Sequence, residues 1–298
     1  MKWRGRRGAG RIEDRRGGGG GLGGGIPLPM GKAGGGGIGL IILLVVYLLT
    51  GGGLPGGGGG GLGVDPGTGQ FSPAPGASST DLDKAPADDA GKFVDFVAGD
   101  VDATWKKLFA ESGKTYEPAI VVLYENGVQS GCGSTPSTVG PFYCPRDRKV
   151  YLDLPFMEQL QKRLDAPGDF AQAYIVAHEI GHHVQNLLGV MEDVDLATQE
   201  NPEERNELSV RLELQADCLA GIWGHSAYAK GDLLETGDLE EGLKAAAAVG
   251  DDRIQQQSGQ GVNPEAFTHG TSEQRVKWFR AGFDSGDPTA CDTFEGEI

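Results

Sequence analysis

Cysteine is scarce in this 298-residue chain, which has four, and no two of them are spaced as C-x-x-C. That spacing is a usual signature of zinc sites built from cysteine, so the sequence argues against such a site. Histidine is nearly as rare, with five residues. A metal site built from histidine therefore has few candidates, and the spacing of those five is informative.

Positive charge is scarce after the first 32 residues. The formal net charge is −16, from 26 Lys and Arg against 42 Asp and Glu, whereas residues 1–32 are basic. An acidic body argues against nucleic-acid binding through a basic surface. The basic N-terminal segment is better explained by a membrane.

Long hydrophobic runs are limited to residues 38–49, the apolar centre of an uncharged stretch at 33–54. About 20 residues cross the hydrocarbon of a bilayer, so residues 33–54 are predicted to be a transmembrane signal anchor in contact with the lipid bilayer. The alternative is a cleaved signal peptide, although no clear A-x-A cleavage site follows. Because positive charges precede the span, we expect a single-pass protein with a cytoplasmic N-terminus and a periplasmic or extracellular domain.

Large apolar side chains are rare in the rest of the first 90 residues. Glycine is concentrated in residues 1–70, and Gly, Pro, Ser and Asp dominate residues 51–90. This composition predicts a disordered, basic, Gly-rich cytoplasmic tail at 1–32 and a flexible linker at 55–90. A single folded domain is expected at 91–298.

Hydrophobic periodicity in that domain predicts an α+β fold, mainly helical with a small sheet. Asp169 is the expected N-cap of one helix, which Gly189 ends, and Thr271 and Gln274 are predicted to form the capping box of the last. The other helices are expected at 92–112, 156–164, 203–228 and 238–249, strands at 119–124 and 150–154, a hairpin-type turn at 125–127, and polar loops at 192–201 and 255–265.

The pattern H-E-x-x-H occurs in the helix after Asp169, as His178, Glu179 and His182. Residues i and i+4 of a helix share a face, so both imidazoles can bind one metal ion from one side. Glu179 points aside and can reach a water at the metal without binding it. Chance would give this spacing at roughly the 1% level, and two surface histidines are the alternative interpretation.

A catalytic zinc usually has three protein ligands and one open position. Glu213 and Asp217 are again i and i+4, in a helix whose other residues are largely apolar. We expect Glu213 to bind zinc and Asp217 to accept a hydrogen bond from the second ring nitrogen of His178. A solvated acidic face is the alternative. His225 is a weaker rival ligand, and His183 is expected to be structural.

The combination of His178-Glu-Ile-Gly-His182 with Glu213-x-x-x-Asp217 resembles the gluzincin type of zinc peptidase. Further segments resemble the bacterial family called "putative neutral zinc metallopeptidase" over nearly the whole chain. These are Met1-Lys-Trp-Arg-Gly-Arg-Arg7, Glu13-Asp-Arg-Arg16, Tyr143-Cys-Pro145, Tyr151-Leu-Asp153 and His269-Gly-Thr-Ser-Glu-Gln-Arg275. The resemblance implies a single-pass membrane anchor and a zincin-like metallopeptidase domain.

The predicted function is that of a membrane-anchored zinc endopeptidase acting on a peptide or protein substrate. Zn²⁺ is the expected cofactor, Glu179 the general base, and His269 the candidate donor to the oxygen that gains negative charge. His269 could instead only hold its loop, and Tyr228 is a second candidate donor. Residues 150–154 are the candidate edge strand for binding substrate by strand addition.

Two other functional classes stay open. One is a non-catalytic, zinc-stabilised extracytoplasmic binding or scaffold protein, and the other is a zinc hydrolase of non-peptide amide bonds. Glu179 favours an enzyme, because a structural zinc site needs no general base and normally has four ligands. Nothing in the sequence indicates an oligomeric state.

Four cysteines allow three pairings, and disulfides are expected outside the cytoplasm. Cys132 and Cys144 would close a short loop that lacks regular structure. Cys218 and Cys291 would then join the C-terminal tail to the helix of Glu213. Free buried thiols are the alternative.

Overall fold

The computed structural model describes residues 1–16, 82, 86–136, 140–164, 168–259 and 261–298. Within these residues lie six strands and eight α-helices. The strands are β1 (Arg11–Asp14), β2 (Ile120–Tyr124), β3 (Val128–Ser130), β4 (Gly133–Thr135), β5 (Phe142–Cys144) and β6 (Lys149–Asp153). The helices are α1 (Asp89–Glu111), α2 (Leu154–Leu164), α3 (Asp169–Leu188), α4 (Val190–Glu200), α5 (Arg205–Ala229), α6 (Asp238–Ala248), α7 (Asp251–Gln257) and α8 (Ser272–Ser285). The predicted α+β class is confirmed.

A four-stranded sheet has the order β1-β2-β6-β5. Strands β1, β2 and β6 are parallel, and β5 runs antiparallel to β6. Both central strands are buried on both faces, with Val121, Val122 and Leu123 fully inaccessible. Strands that are buried on both faces have continuous apolar sequences, which is why both strands could be predicted from the sequence. Strands β3 and β4 form a separate two-stranded sheet.

Strand β6 lies between β2 and β5, so the prediction that residues 150–154 form an edge strand is wrong. The reason is that β5, only three residues long, carries too little sequence signal to be noticed as a partner. The predicted turn at 125–127 has two left-handed residues, Asn126 and Gly127, but it does not close a hairpin. Strand β3 after the turn pairs with β4 instead of β2.

The first 16 residues belong to the folded domain, so the expectation of a disordered tail is wrong for them. Arg11 pairs with Ile120 at the start of the β1–β2 ladder, and Ile12 is only 2% exposed. The ring of Trp3 packs edge-on against Phe93, with 5.2 Å between ring centroids. A basic, Gly-rich composition hides a strand of four residues whose stability comes from partners about a hundred residues away.

The α-amino group of Met1 lies against the start of α3. It donates to Oδ1 of Asp169 at 2.8 Å and to Oδ1 of Asp238 at 3.2 Å. The N-cap position of α3 is Gly168, so Asp169 is the first helical residue and not the cap that the sequence predicts. Its carboxylate still suits that place, because negative charge stabilises a helix N-terminus.

The predicted polar loop at 192–201 is largely helix α4, and the loop at 255–265 begins inside helix α7. Glu192 and Asp193 occupy the first turn of α4, where their negative charge interacts favourably with the helix dipole. The polarity of this segment was therefore a poor basis for predicting a loop. The capping box of Thr271 and Gln274 at the start of α8 is confirmed.

Among the described residues, no helix is both long and apolar enough to cross a bilayer. Residues 33–54 lie outside the described residues, as do 17–32 and most of 55–85. The transmembrane anchor, the remaining Gly-rich tail and most of the linker therefore stay predictions.

Helices α5 and α8 approach each other through glycine. A Cβ atom on Gly282 would lie 1.9 Å from the carbonyl oxygen of Cys218, and one on Gly221 would lie 2.1 Å from that of Phe279. Both contacts are with backbone, so only glycine permits this crossing. The close crossing brings α8 against the face of α5 that carries the candidate metal-binding residues.

Candidate metal centre

Helices α3 and α5 bring together three of the residues that the sequence singles out. The ligand atoms of His178, His182 and Glu213 all lie within 4.8 Å of one another. Nε2 of His178 is 3.2 Å from Oε2 of Glu213, and Nε2 of His182 is 3.4 Å from Oε1. All three side chains are buried. Gly181 lies on α3 where its Cβ would be 3.1 Å from the carbonyl of Ala216, which accounts for a glycine inside this helix.

The donor set fits zinc. Two imidazole nitrogens and one carboxylate oxygen are common zinc ligands, and their burial excludes competing water. Among the described residues, no fourth His, Cys, Asp or Glu joins the group. A three-residue site of this kind leaves a position for water or substrate, whereas structural zinc sites normally have four protein ligands.

Asp169, Asp238 and Glu241 form a second group of acidic atoms close enough to hold an ion. The amino group of Met1 binds two of these carboxylates, and Glu241 accepts the backbone N–H of Phe170. This acidic group is thus accounted for by contacts within the chain.

Both histidines have a partner at the ring nitrogen that faces away from the ligand group. Nδ1 of His178 is 3.0 Å from Oδ1 of Asp217, as the sequence predicts. Nδ1 of His182 is 2.8 Å from Oε1 of Gln185, whose amide donates to the carbonyl of Leu212. Because an oxygen acceptor requires a hydrogen on Nδ1, the lone pair of each ring lies on Nε2, toward the metal position. The sequence analysis missed Gln185, although it lies three residues after His182 on the same helix.

Charge in the site is set by its neighbours. Burial alone would raise the pKa of Glu213, but His182 and His178 outweigh it and hold that pKa well below its usual range. Burial likewise opposes ionisation of Asp217, yet Arg275 and His178 lower its pKa. Burial would lower the pKa of His178, but hydrogen bonds with Asp217 and Glu213 raise it to about 9. A metal ion bound at Nε2 would compete with a proton at His178, so its binding would weaken in acid.

Glu179 is buried beside the ligand group without belonging to it. Burial raises the pKa of its carboxyl group, although His178 and His182 partly oppose this. A carboxylate with a raised pKa accepts a proton more readily, which suits a general base.

His269 is held at the site by Asp251. Nδ1 of His269 lies 3.0 Å from Oδ1 of Asp251, and the backbone N–H groups of Thr268 and His269 donate to Oδ2. Nε2 of His269 is buried and has no hydrogen-bond partner among the described residues. The ring is close enough to Glu213 for its charge to lower the pKa of that carboxyl. An ordered imidazole beside the ligand group can donate from Nε2 to a reacting oxygen when the ring carries both protons.

Three other side chains lie elsewhere. Tyr228 is 66% exposed on the last turn of α5, about 22 Å along the helix axis from Glu213 at 1.5 Å per residue. This distance excludes Tyr228 as a donor to the reacting oxygen. His225, about 18 Å from Glu213 by the same rise, contacts the carbonyl of Phe283, which removes it as a rival ligand. His183 contacts Tyr143 and the carbonyl of Glu117 in a structural role.

The four cysteines form the two disulfides that the sequence predicts. Cys132 is bonded to Cys144, and Cys218 to Cys291. The second bond lies next to Asp217 in sequence. It ties the segment after α8 to α5, so it holds together the two helices whose crossing shapes the site.

A family model described as "Putative neutral zinc metallopeptidase" matches residues 1–294. The chain belongs to this family. The match begins at the first residue, in agreement with the finding that residues 1–16 fold into the domain.

Several bacterial proteins are similar to this chain. It is 48% identical over 303 residues to "Uncharacterized protein YpfJ" of Escherichia coli (strain K12), with 100% of both chains covered. It is 42% identical over 254 residues to "Uncharacterized protein Rv2575" of Mycobacterium tuberculosis (strain ATCC 25618 / H37Rv) and "Uncharacterized protein Mb2605" of Mycobacterium bovis, over 78% of this chain and 84% of each relative. No solved structure shows a significant match.

Proposed function

We propose that the protein is a zinc-dependent endopeptidase that acts outside the cytoplasm. The observation that carries the proposal is the buried three-ligand group with Glu179 beside it and no fourth ligand among the described residues. Two disulfides support an extracytoplasmic location, because such bonds persist in oxidising compartments.

The catalytic roles follow from the positions of the side chains. His178, His182 and Glu213 would hold the ion, which, when bound, polarises the scissile carbonyl and lowers the pKa of a water molecule. Glu179 accepts the proton of the attacking water and returns it to the leaving amine. His269 donates from Nε2 to the carbonyl oxygen as that oxygen gains negative charge, and Asp251 stabilises the protonated ring.

Strand β5 replaces β6 as the candidate for binding an extended substrate. Among the described strands, β5 pairs only with β6 and so has a second backbone edge without a ladder partner. It also packs against α3, because the hydroxyl of Tyr143 accepts a hydrogen bond from Asn186 and contacts His183. A peptide added at this edge would run beside α3.

The direct test is cleavage of a diverse peptide mixture by the full chain, read by mass spectrometry beside the Glu179→Gln variant. Glu179→Gln keeps the size of the side chain but removes the base, so we expect full zinc content and a loss of cleavage by several orders of magnitude. Zinc is measured in both proteins by elemental analysis.

Equal cleavage by Glu179→Gln and the parent would rule out the general-base role. Cleavage by neither protein, together with stoichiometric zinc and a higher melting temperature in zinc, would leave a zinc-stabilised binding or scaffold protein or a peptidase for a substrate outside the mixture.

A further inference from the structure

Arg275 of α8 inserts its guanidinium group into the buried space behind His178. The side chain is 4% exposed. Nε donates to Oδ2 of Asp217 at 2.7 Å and Nη2 donates to Oδ1 at 2.9 Å, which makes a two-point contact with one carboxylate. Nη1 donates to the carbonyl oxygen of Val249, which fixes the third nitrogen.

Asp217 is in turn the residue that orients His178. Its Oδ1 faces Nδ1 of His178 at 3.0 Å and also accepts the hydroxyl of Tyr174. Nη2 of Arg275 donates to that same hydroxyl oxygen at 3.2 Å. Tyr174 and Arg275 thus both donate hydrogen bonds to the carboxylate of Asp217. These bonds fix the position of Oδ1, which faces the imidazole of His178.

The charges at the site require a buried cation. Glu179, Glu213 and Asp217 are three buried carboxyl groups in or beside the ligand group. Nη2 of Arg275 is also 3.9 Å from Oε2 of Glu213, so the guanidinium lies between two of the three. One guanidinium and one Zn²⁺ would together balance three negative charges, whereas without Arg275 one of these buried negative charges would be left unbalanced by the ion.

We propose that Arg275 is a positioning residue of the metal centre, which acts through Asp217 to fix the orientation and tautomer of His178. This inference rests on the proposed zinc site but not on peptidase activity. The two-point contact is essential, because the planar guanidinium fork locks both carboxylate oxygens, whereas a lysine ammonium would be a single point charge.

The test is zinc affinity of the full chain, measured at fixed pH by competition with a chromophoric chelator. Loss of a residue that orients a ligand typically lowers metal affinity 10- to 100-fold, and we expect that loss for Arg275→Met. Arg275→Lys should recover only part of it. Arg280→Met, an exposed change on the same helix, is the matched control and should leave the affinity unchanged.

The direction of the change in zinc affinity distinguishes a positioning role of Arg275 from a purely electrostatic role. If Arg275 acted only through its positive charge, its removal would strengthen binding of a cation, and Arg275→Lys would equal the parent. Unchanged or tighter zinc binding in Arg275→Met, or parental affinity in Arg275→Lys, would overturn the proposal.

Two further variants keep the test decisive. In an Asp217→Asn background, Arg275→Met should cost no further affinity, and an equal cost there would show that Arg275 does not act through Asp217. If Arg275→Met fails to fold, Arg275→Lys carries the test alongside Tyr174→Phe, which removes one bond to Asp217 and should weaken zinc binding less. A parent chain that binds no zinc would refute the metal site itself, whereas zinc binding without cleavage would refute only the peptidase.

Discussion

Besides the proposed zinc ligands and Glu179, the proposed reaction needs His269, which Asp251 holds in place. Replacing His269 with alanine removes Nε2, which has no partner among the described residues, and leaves all three ligand side chains in place. We expect kcat to fall about 100- to 1,000-fold while zinc content stays stoichiometric, as is typical when one donor to a developing oxyanion is lost. Steady-state kinetics with elemental analysis would measure both.

His225→Ala is the matched control for that variant, since His225 lies far from the ligand group, against Phe283, and its loss should leave kcat unchanged. Loss of zinc from His269→Ala would show that His269 serves the metal site itself. Full activity would show that it only holds its loop.

Asp102 carries a carboxyl group whose ionisation the fold disfavours. It is 7% exposed and accepts a hydrogen bond from the hydroxyl of Tyr116 at 2.6 Å. Burial raises its pKa to about 6, although Tyr116 and Arg11 partly oppose the rise. The folded protein thus holds this proton more tightly than the unfolded chain. Its contribution to stability is complete below about pH 4 and is lost as the pH rises to about 6, by roughly 3 kcal/mol.

Asp102→Asn should make the free energy of unfolding less dependent on pH between about pH 4 and pH 6. The amide still accepts a hydrogen bond from the hydroxyl of Tyr116 but cannot ionise. The measurement is urea unfolding at pH 4 to 7 in chelator, so that zinc does not contribute, with the exposed Asp284→Asn as control. Stability curves of variant and parent that run parallel from pH 4 to pH 6 would contradict the assignment.

The sequence predicts some residues of the site and not others, for a geometric reason. His178, Glu179 and His182 follow from the repeat of a single helix, and so does the spacing of Glu213 and Asp217. Arg275 was missed as the partner of Asp217, and Asp251 as the partner of His269, because each contact joins residues that are distant in the sequence. His269 drew notice only because it is one of five histidines.

At the level of elements, β1 is a strand that the basic, Gly-rich composition of the N-terminal segment did not predict. Ile12 at its centre is 2% exposed and belongs to the same core as the central sheet. Ile12→Ala should therefore destabilise the protein by about 2–5 kcal/mol, the usual cost of such a truncation in a core. Arg7→Ala, an exposed change in the same segment, should have little effect.

Denaturant unfolding of the full chain would compare the two variants. A change below about 0.5 kcal/mol for Ile12→Ala would mean that residues 1–16 do not dock on the domain in solution. The structure further implies that a chain starting at residue 91 would expose the edge of β2, so the domain should be studied with its N-terminal segment.

For the molecule as a whole, the sequence predicted the α+β fold class better than the order and pairing of the strands. Continuous apolar runs located β2 and β6, and helical periodicity located α1, α3, α5 and α8. Sheet order did not follow, because β1 and β5 are strands of four and three residues whose pairing is set by distant partners. Polar helix α4 was missed because its stability owes more to terminal charge than to an apolar face.

The pairing of β1 with β2 also restricts how the chain can meet a membrane. Residue 16 and residue 86 both leave the same folded body, so the chain between them is a loop closed at its base. A closed loop passes through any continuous barrier an even number of times. One crossing by residues 33–54 would put β1 and β2 on opposite sides of the bilayer, so a single-pass anchor, which stays a prediction, would require β1 to separate from β2. A chain that keeps β1 paired with β2 would instead have both strands and the metal centre on one side of any bilayer that it contacts.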